Sequence, residues 1–409
     1  MNLRIPVDKC KLIDYPCPCC NGTDFINYNQ DNPHNISLNL CKDCGFIFRS
    51  HFLDLRTNLE HLRLHHKSLP NISYYQKQRQ KEYIIEKNFL PHKDMESKRI
   101  LEVGCGIGTY LSINEQNSVG LEPSLSHCIY ALHQENVDAR PTFYIKDQNF
   151  DVIVIHDYIH FIPDVGNYLK ELRSKLTDNG LIYIYSPVLE MPSLSFLKSC
   201  YNGMPCQYVN YFTQDTMKAL LTNCGFDVFK IDPNVSDCVI LAAKSKKMPK
   251  TLAKANPESS KKSFNDLQQI LKLLSQSKFE EILNINKKIL PAYIGQIKRE
   301  HGVVVSVGDV FERILENVGE YAPAQGTVAS AYHQKSMVRE ALSLLQKFEQ
   351  KIMDAGTARI MALCWHDIGD FDKALYYFAI EEAMTGPNKE IFEMKASMHW
   401  QKRDVKEFL

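Results

Sequence analysis

Two kinds of side chain in this sequence are spaced for chemistry: thiols in pairs, and carboxylates beside a run of glycines. Cys17-Pro-Cys-Cys20 and Cys41-Lys-Asp-Cys44 are two Cys-x2-Cys pairs separated by twenty residues. Two thiolates on one tight turn reach a single ion, and two such turns complete a tetrahedral shell. Cys17, Cys20, Cys41 and Cys44 therefore predict a structural Zn2+ site with no open coordination position. Gly22 and Gly45 stand just after the pairs, where the chain has to turn. Cys19 competes with Cys20 at a poorer spacing, and Cys10 lies outside both pairs. The second pattern is Ile100-Leu-Glu-Val-Gly-Cys-Gly-Ile-Gly-Thr-Tyr110. Gly104, Gly106 and Gly108 follow a strand-like run, and glycine is needed where backbone takes positive φ or a ligand approaches with no Cβ in the way. About twenty residues on, Glu122 is expected at the exposed carboxyl end of a second strand, placed to accept hydrogen bonds from a ribose diol. The spacing Gly-x-Gly-x-Gly is not the dinucleotide fingerprint. Glu102, inside the strand, would repel a pyrophosphate and suits a ligand that carries an ammonium group.

The elements that must position these groups begin at Arg99, where strands and helices alternate. The pattern predicts strands over 99–103, 118–122, 138–140 and 150–155, with helices from Thr109 and over Ser126–Asn136 between them. A helix through Tyr168–Leu176 is expected to stop at Asn179-Gly180, before strand Leu181–Tyr185. Helix Gln214–Cys224 ends at Gly225, and Phe226–Ile231 with Cys238–Ala243 reads as a closing pair of strands. Such alternation implies a doubly wound, mostly parallel α/β sheet with its ligand at the carboxyl ends of the strands. His156, Asp157 and Tyr158 come directly after the run Phe150–Ile155 and belong to that edge. Phe25–Tyr28 and Phe46–Phe48 would be ribbon strands covering the cysteine site.

The chain has 409 residues, enough for two or three domains. Its 48 basic residues balance 48 acidic ones, so no global charge points to nucleic acid or to a membrane surface. Met1–Asp14 lacks an apolar run of signal-peptide length, and no window suits a membrane span. Thirteen cysteines in such a chain suit a reducing compartment, hence a cytoplasmic location, with some thiols on metal. His61 and His65 sit one helical turn apart without an evident third ligand, and read as part of a solvated helix.

Lys244–Ser263 has a linker composition of Lys, Pro, Ser and Ala. Beyond it, Tyr332-His-Gln-Lys-Ser-Met-Val-Arg-Glu-Ala341 recurs as Trp365-His-Asp-Ile-Gly-Asp-Phe-Asp-Lys-Ala374, a shift of 33. A weaker echo begins at His399, and Leu274–Ile282 carries the same turn. The stretch Pro291–Ala324 departs from the period. The period and the Gly369-Asp-Phe-x-x-Ala-Leu375 signature resemble tetratricopeptide helix pairs, which bind a protein partner or self-associate. The expected division is a zinc-binding ribbon over 1–60, a catalytic domain over 61–244, a linker over 245–263 and a helical-repeat domain over 264–409. A cut near Asn256 is expected to leave a soluble module.

The residues Leu101-Glu-Val-Gly-Cys-Gly-Ile-Gly108, followed by Gly120-Leu-Glu-Pro-Ser124, resemble a class I S-adenosylmethionine-dependent methyltransferase. The resemblance implies a Rossmann-like seven-stranded sheet whose last strand is antiparallel. It implies S-adenosylmethionine as cofactor, held by Tyr75, Glu102, Gly104, Cys105, Gly106, Gly108, Glu122, Pro123, His156 and Asp157. Within that set, Glu102 would face the ammonium, Glu122 the ribose, and the helix start after Gly108 the carboxylate. The whole span Cys17–Ala243 resembles bacterial methyltransferases with an N-terminal zinc motif, many of which act on nucleotide-linked sugars or polysaccharide precursors. Two departures stand out. Ile159-His160-Phe161 replaces the family's Leu-Glu-His, and Gln207-Tyr208 replaces its Glu-His. His160 is then the remaining candidate base and Tyr208 the candidate proton donor. Two functions follow from this: a small-molecule methyltransferase with a partner-binding tail, or a methyltransferase-fold scaffold that works through that tail.

Overall fold

The computed structural model describes residues 12–13, 16–28, 37–49, 52–53, 72, 98–113, 118–190, 208–232, 238–287, 289, 292–293, 296, 299–300, 313, 328–330, 332–334, 336–346, 355–385 and 389–401. Short strands come first: β1 (Leu12–Ile13), β2 (Phe25–Tyr28), β3 (Leu38–Cys41), β4 (Ile47–Arg49) and β5 (Phe52–Leu53). They are followed by β6 (Ile100–Val103), β7 (Val119–Leu121), β8 (Asp138–Arg140), β9 (Phe150–His156), β10 (Leu176–Ser186), β11 (Asn210–Tyr211), β12 (Phe226–Asp232) and β13 (Cys238–Lys244). The helices between them are α1 (Thr109–Ile113), α2 (Leu125–Gln134), α3 (Val165–Lys175) and α4 (Gln214–Asn223).

Seven strands form one sheet in the order β12-β13-β10-β9-β6-β7-β8. Its central pairs are parallel, and β13 runs antiparallel to both neighbours. β9 and β13 carry apolar runs, Val152–Ile155 and Cys238–Ala242, that are buried on both faces, and β6 is wholly buried with Glu102 inside it. Period-two alternation sorts their side chains. Leu101, Val103, Ile153, Ile155, Ile182 and Ile184 point into a core shared with α3 and α4. Glu102, Val154, His156, Tyr183 and Tyr185 occupy the opposite face, fixed by the register Glu102↔Val154, Tyr183↔Val154 and Tyr185↔His156. The strand ends therefore present one apolar face and one that carries ionisable groups.

One predicted stop differs. Helix α3 ends at Lys175 because Leu176 already takes extended backbone, and β10 begins there with a register shift before Leu181. Asn179-Gly180 lies inside that strand and not at a left-handed cap.

The ribbon is a four-stranded antiparallel sheet in the order β11-β4-β3-β2, and β11 comes from beyond β10 in the sequence. Cys17, Cys41, Phe46 and Phe48 belong to the same buried cluster as the main sheet's apolar face. Helix α5 (Pro257–Ser275), capped by the Asn256 side chain on the Glu258 N–H, lies on the ribbon. Phe264 meets the Tyr28 ring at 5.1 Å, and a Cβ on Gly45 would stand 2.8 Å from Ser260 Oγ. The chain divides into two compact units, Met1–Lys77 with Lys93–Ile285, and Gln78–His92 with Asn286–Leu409. This division lies beyond the boundary expected at residue 264, because α5 lies on the ribbon and α6 (Phe279–Ile285) packs on α5.

In the second unit, α7 (Val338–Gln346), α8 (Ala355–Ile368), α9 (Phe371–Thr385) and α10 (Lys389–Gln401) enclose a core of Ala341, Leu345, Met361, Ala374 and Phe378. The expected 33-residue echo is visible in the backbone. Ser336 and Gly369 both take positive φ, with N–H bonds to His333 O and His366 O. Met337 and Asp370 then bond back to Tyr332 O and Trp365 O. Ser277, at φ 56, makes the same turn between α5 and α6. The echo after His399 and most of Pro291–Ala324 lie outside the described residues.

Candidate functional site

The glycine turn follows β6 at the carboxyl edge of the sheet. Gly104, Gly106 and Gly108 take φ of 79, 56 and 82°, the left-handed region that side chains resist. The N–H groups of Gly104 and Cys105 both bond to Leu121 O, which pins the turn to the end of β7. A Cβ on Gly104 would fall 2.5 Å from Tyr158, and one on Gly108 would meet Ala131 and Val137. Two of the glycines thus serve close packing around the turn.

Glu122 is not exposed, as the sequence suggested, but 5% accessible. Its Oε2 accepts from Gly106 N–H at 3.1 Å and its Oε1 from Ser124 N–H at 2.8 Å. Ser124 in turn caps α2, and Pro123 is buried between the two. A carboxylate that accepts two backbone N–H groups makes strong charge-assisted bonds, so Glu122 also braces the turn. Glu102 is fully buried, with Oε1 3.2 Å from His156 Nδ1. Burying an ionisable pair is costly unless the partners satisfy one another. Tyr110, Tyr183 and Tyr185 pack edge-on around the His156 ring at 5.1–6.3 Å. Asp157 leaves the strand at φ 50 with its N–H on Tyr185 O. Tyr75 lies outside the described residues.

Two hydroxyls beside the turn, Thr109 Oγ1 and Tyr158 OH, are buried with no hydrogen-bond partner among the described residues. Burial, with the Glu122 charge nearby, pushes the Tyr158 hydroxyl well above its ordinary range and keeps it neutral. Unanswered buried polar atoms are rare in folded proteins, and a polar ligand on the turn would answer these two. The turn, the acid after β7 and the two hydroxyls fit S-adenosylmethionine.

His160 belongs to a 3-10 turn, Ile159–Phe161, and both of its ring nitrogens are taken. Nδ1 donates to Asn210 O at 2.9 Å, so Nε2 accepts from Ser186 Oγ at 2.8 Å. Burial pushes its pKa down to about 4. This geometry makes His160 a neutral cross-link and not a base with a vacant lone pair. Tyr208 is half-buried, stacked on His160 at 5.1 Å and edge-on to Phe161 at 5.0 Å. Gln207 lies outside the described residues.

The cysteine pairs converge. Cys17, Cys20, Cys41 and Cys44 place their sulfurs within 4.8 Å of one another, with Cys17–Cys44 and Cys20–Cys41 at 3.5 Å. Zn–S bonds of about 2.3 Å span a tetrahedron with edges of about 3.8 Å, so the set fits Zn2+. Hydrogen bonds from Cys17 and its neighbours hold the Cys44 thiol down to about 5, whereas those same contacts and burial push Cys17 up. Four sulfurs this close ionise together only around a cation. Asn21 and Gly45 take positive φ in the two knuckles, and Gly22 N–H points to Cys20 Sγ at 3.4 Å. Cys19 is not in the set. Its carbonyl accepts from Asn223 Nδ2, whose amide also bonds both ways with Ala253.

Sequence reasoning missed Asn210, Ser186 and Asn223, which make no motif. The only signal was the aromatic run Tyr208–Phe212, whose pairing with a ribbon strand no local pattern announces. A cavity of about 1000 Å³ lies at the other edge of the sheet, at the amino ends of the strands, lined by Arg99, Ser118, Asp138, Arg140 and Asp147. Arg99 and Arg140 are already paired there with Asp147 and Asp138. We place the chemistry at the glycine turn, beside the unanswered Thr109 and Tyr158 hydroxyls.

Residues 75–231 match the family described as "Methyltransferase domain". No curated protein matches the sequence. Among solved structures, an S-adenosylmethionine-dependent methyltransferase of Thermotoga maritima is 19% identical, over 42% of this chain and 96% of its own, with a TM-score of 0.33. One from Mesorhizobium loti is 13% identical, over 39% and 95%, also at 0.33. Likeness at this level says nothing of the acceptor.

Proposed function

We propose that this class I S-adenosylmethionine-dependent methyltransferase acts on a small-molecule acceptor, of the nucleotide-linked sugar or polysaccharide-precursor kind, in the cytoplasm. The observation that carries the reading is the glycine turn braced by Glu122, with Thr109 Oγ1 and Tyr158 OH buried and unanswered beside it. The cofactor supplies an electrophilic methyl on a sulfonium, and transfer needs the acceptor held in line with it. In this reading Glu122 receives the ribose hydroxyls, while Glu102 and His156 form the ionisable floor beside the methionine end. Cys105, Gly106, Asp157 and Tyr75 complete the cofactor side. Tyr208 faces the acceptor. No proton-transfer role is assigned to His160, whose ring is committed on both sides. Zn2+ on the four cysteines is structural, and the helices beyond Asn286 serve as a tetratricopeptide-like surface for a protein partner or a second copy.

Calorimetric titration with S-adenosylmethionine tests the reading. Glu122→Gln keeps the shape and one acceptor oxygen but removes the charge, and should weaken binding at least about tenfold, as expected for a charge-assisted pair. Affinity like that of the wild type in this variant removes the ribose clamp. No binding by the wild type would favour a scaffold acting through its tail.

A further inference from the structure

The cysteine ribbon does not complete its own sheet. Its edge strand β4 is closed by β11, with Asn210 opposite Phe48 and Tyr211 opposite Ile47. Arg49 N–H extends the ladder to Val209 O. From that strand, bonds also run toward the turn that follows β9. Val209 N–H donates to His160 O at 2.8 Å, and His160 Nδ1 donates to Asn210 O. The fully buried Asn210 side chain donates from Nδ2 to Ile162 O at 2.8 Å and to Ile159 O at 3.4 Å. The turn so held begins at Tyr158, which lies against Gly104, and bears Phe161, on which Tyr208 packs. A second contact runs through the apolar core, where Phe212 meets Phe46 at 5.5 Å and His160 at 5.1 Å.

We infer that Asn210 is a positioning residue that makes the metal-bound ribbon one side of the acceptor wall. It carries the set of β4 into the turn Tyr158–Ile162 and into the placement of Tyr208. The inference rests on the reading of this edge as the acceptor side. Its physical basis is the shared strand: a strand two residues long has too few ladder bonds to stand without its neighbours, and β4 is fixed in turn by the Cys41–Cys44 knuckle. Zn2+ would hold that knuckle. Loss of the ion should therefore loosen β11 and the turn before it loosens β6, which is paired on both sides within the main sheet.

The test is hydrogen exchange on the full chain as purified with zinc, after chelation, and in Asn210→Ala and Asn210→Ser. Peptides covering 158–162 and 208–212 should exchange at least about tenfold faster in Asn210→Ala, which loses both side-chain bonds to the turn, and after chelation, with 100–103 unchanged. Asn210→Ser, which keeps a donor, should recover part of that protection. In protein labelled with 3-fluorotyrosine, the Tyr208 resonance, assigned by Tyr208→Phe, should move in the same two states. Unchanged exchange and an unmoved resonance would overturn the inference. So would equal acceleration at 100–103, which would make the ribbon a general support, or purified protein with no zinc. Failure of the wild type to bind S-adenosylmethionine would sink the methyltransferase reading while leaving the exchange result standing.

Discussion

The glycine turn and the cysteine knuckles are both short loops shaped to hold something small, yet they are supported in opposite ways. The turn hangs from the middle of a large sheet, with β6 paired on both sides and Glu122 bonded into it from the next strand. The knuckles have only short strands of their own. Much of what steadies them arrives from elsewhere: β11, the Asn223 amide, and α5 over Gly45. A site inside a large core keeps its shape when its ligand leaves, whereas a site assembled from borrowed parts depends on both ligand and lenders.

The sharpest way to separate the two is to remove the lenders. Ending the chain after Asn256 takes away Ser260 and Phe264 and should cost the zinc and the solubility of the fragment. Ending it after Ile285 should keep both, together with cofactor binding. Metal analysis and size-exclusion chromatography on the two fragments check this, and a zinc-loaded 1–256 fragment would show that α5 is dispensable.

A single side chain should have the next largest effect. Asn223 is buried and holds three hydrogen bonds to Cys19 O, Ala253 O and Ala253 N–H. Asn223→Ala leaves these groups unanswered and should cost about 3 kcal/mol, read from the denaturant midpoint. If the two regions are supported as differently as the geometry indicates, zinc retention should suffer more than affinity for S-adenosylmethionine.

The smallest effect is one of pH. His160 has its pKa pushed from 6.5 to about 4 by burial, so the unfolded chain binds this proton more readily than the folded one. Its contribution is intact above pH 6.5 and is lost as the pH falls toward 4, at most on the order of 3 kcal/mol. His160→Gln should flatten that part of the stability profile. An unchanged slope would mean that acid acts through other groups, such as the buried Glu102–His156 pair.

Much of this was legible beforehand. Strand Asp138–Arg140 and the start of α1 at Thr109 coincide with the expected elements, the first because a strand is due after α2 in an alternating chain and the second because the helix can begin only past Gly108. The cysteine set followed from spacing. The environment of Glu122 was not legible: position placed it at a strand end, but only the folded turn shows Gly106 and Ser124 offering their N–H groups to it. His160 failed as a base for a similar reason. Its partners, Ser186 and Asn210, are 26 and 50 residues away, and nothing local encodes that both ring nitrogens are spoken for. The placement of α5 escaped because composition marks a linker but not the surface that the following helix will cover.

The late strand that closes the ribbon also sets an order of events during synthesis. The knuckles leave the ribosome well before β11, Asn223 and α5, which lie far downstream of Cys44 in the chain. At ordinary translation rates of 5–20 residues per second, some 180 residues amount to about 10–40 s. Through that interval Phe46 and Phe48 lack Phe212 and the rest of their cover, and only a captured metal ion can hold the knuckles closed. The knuckles are thus made before β11 and finished only after it.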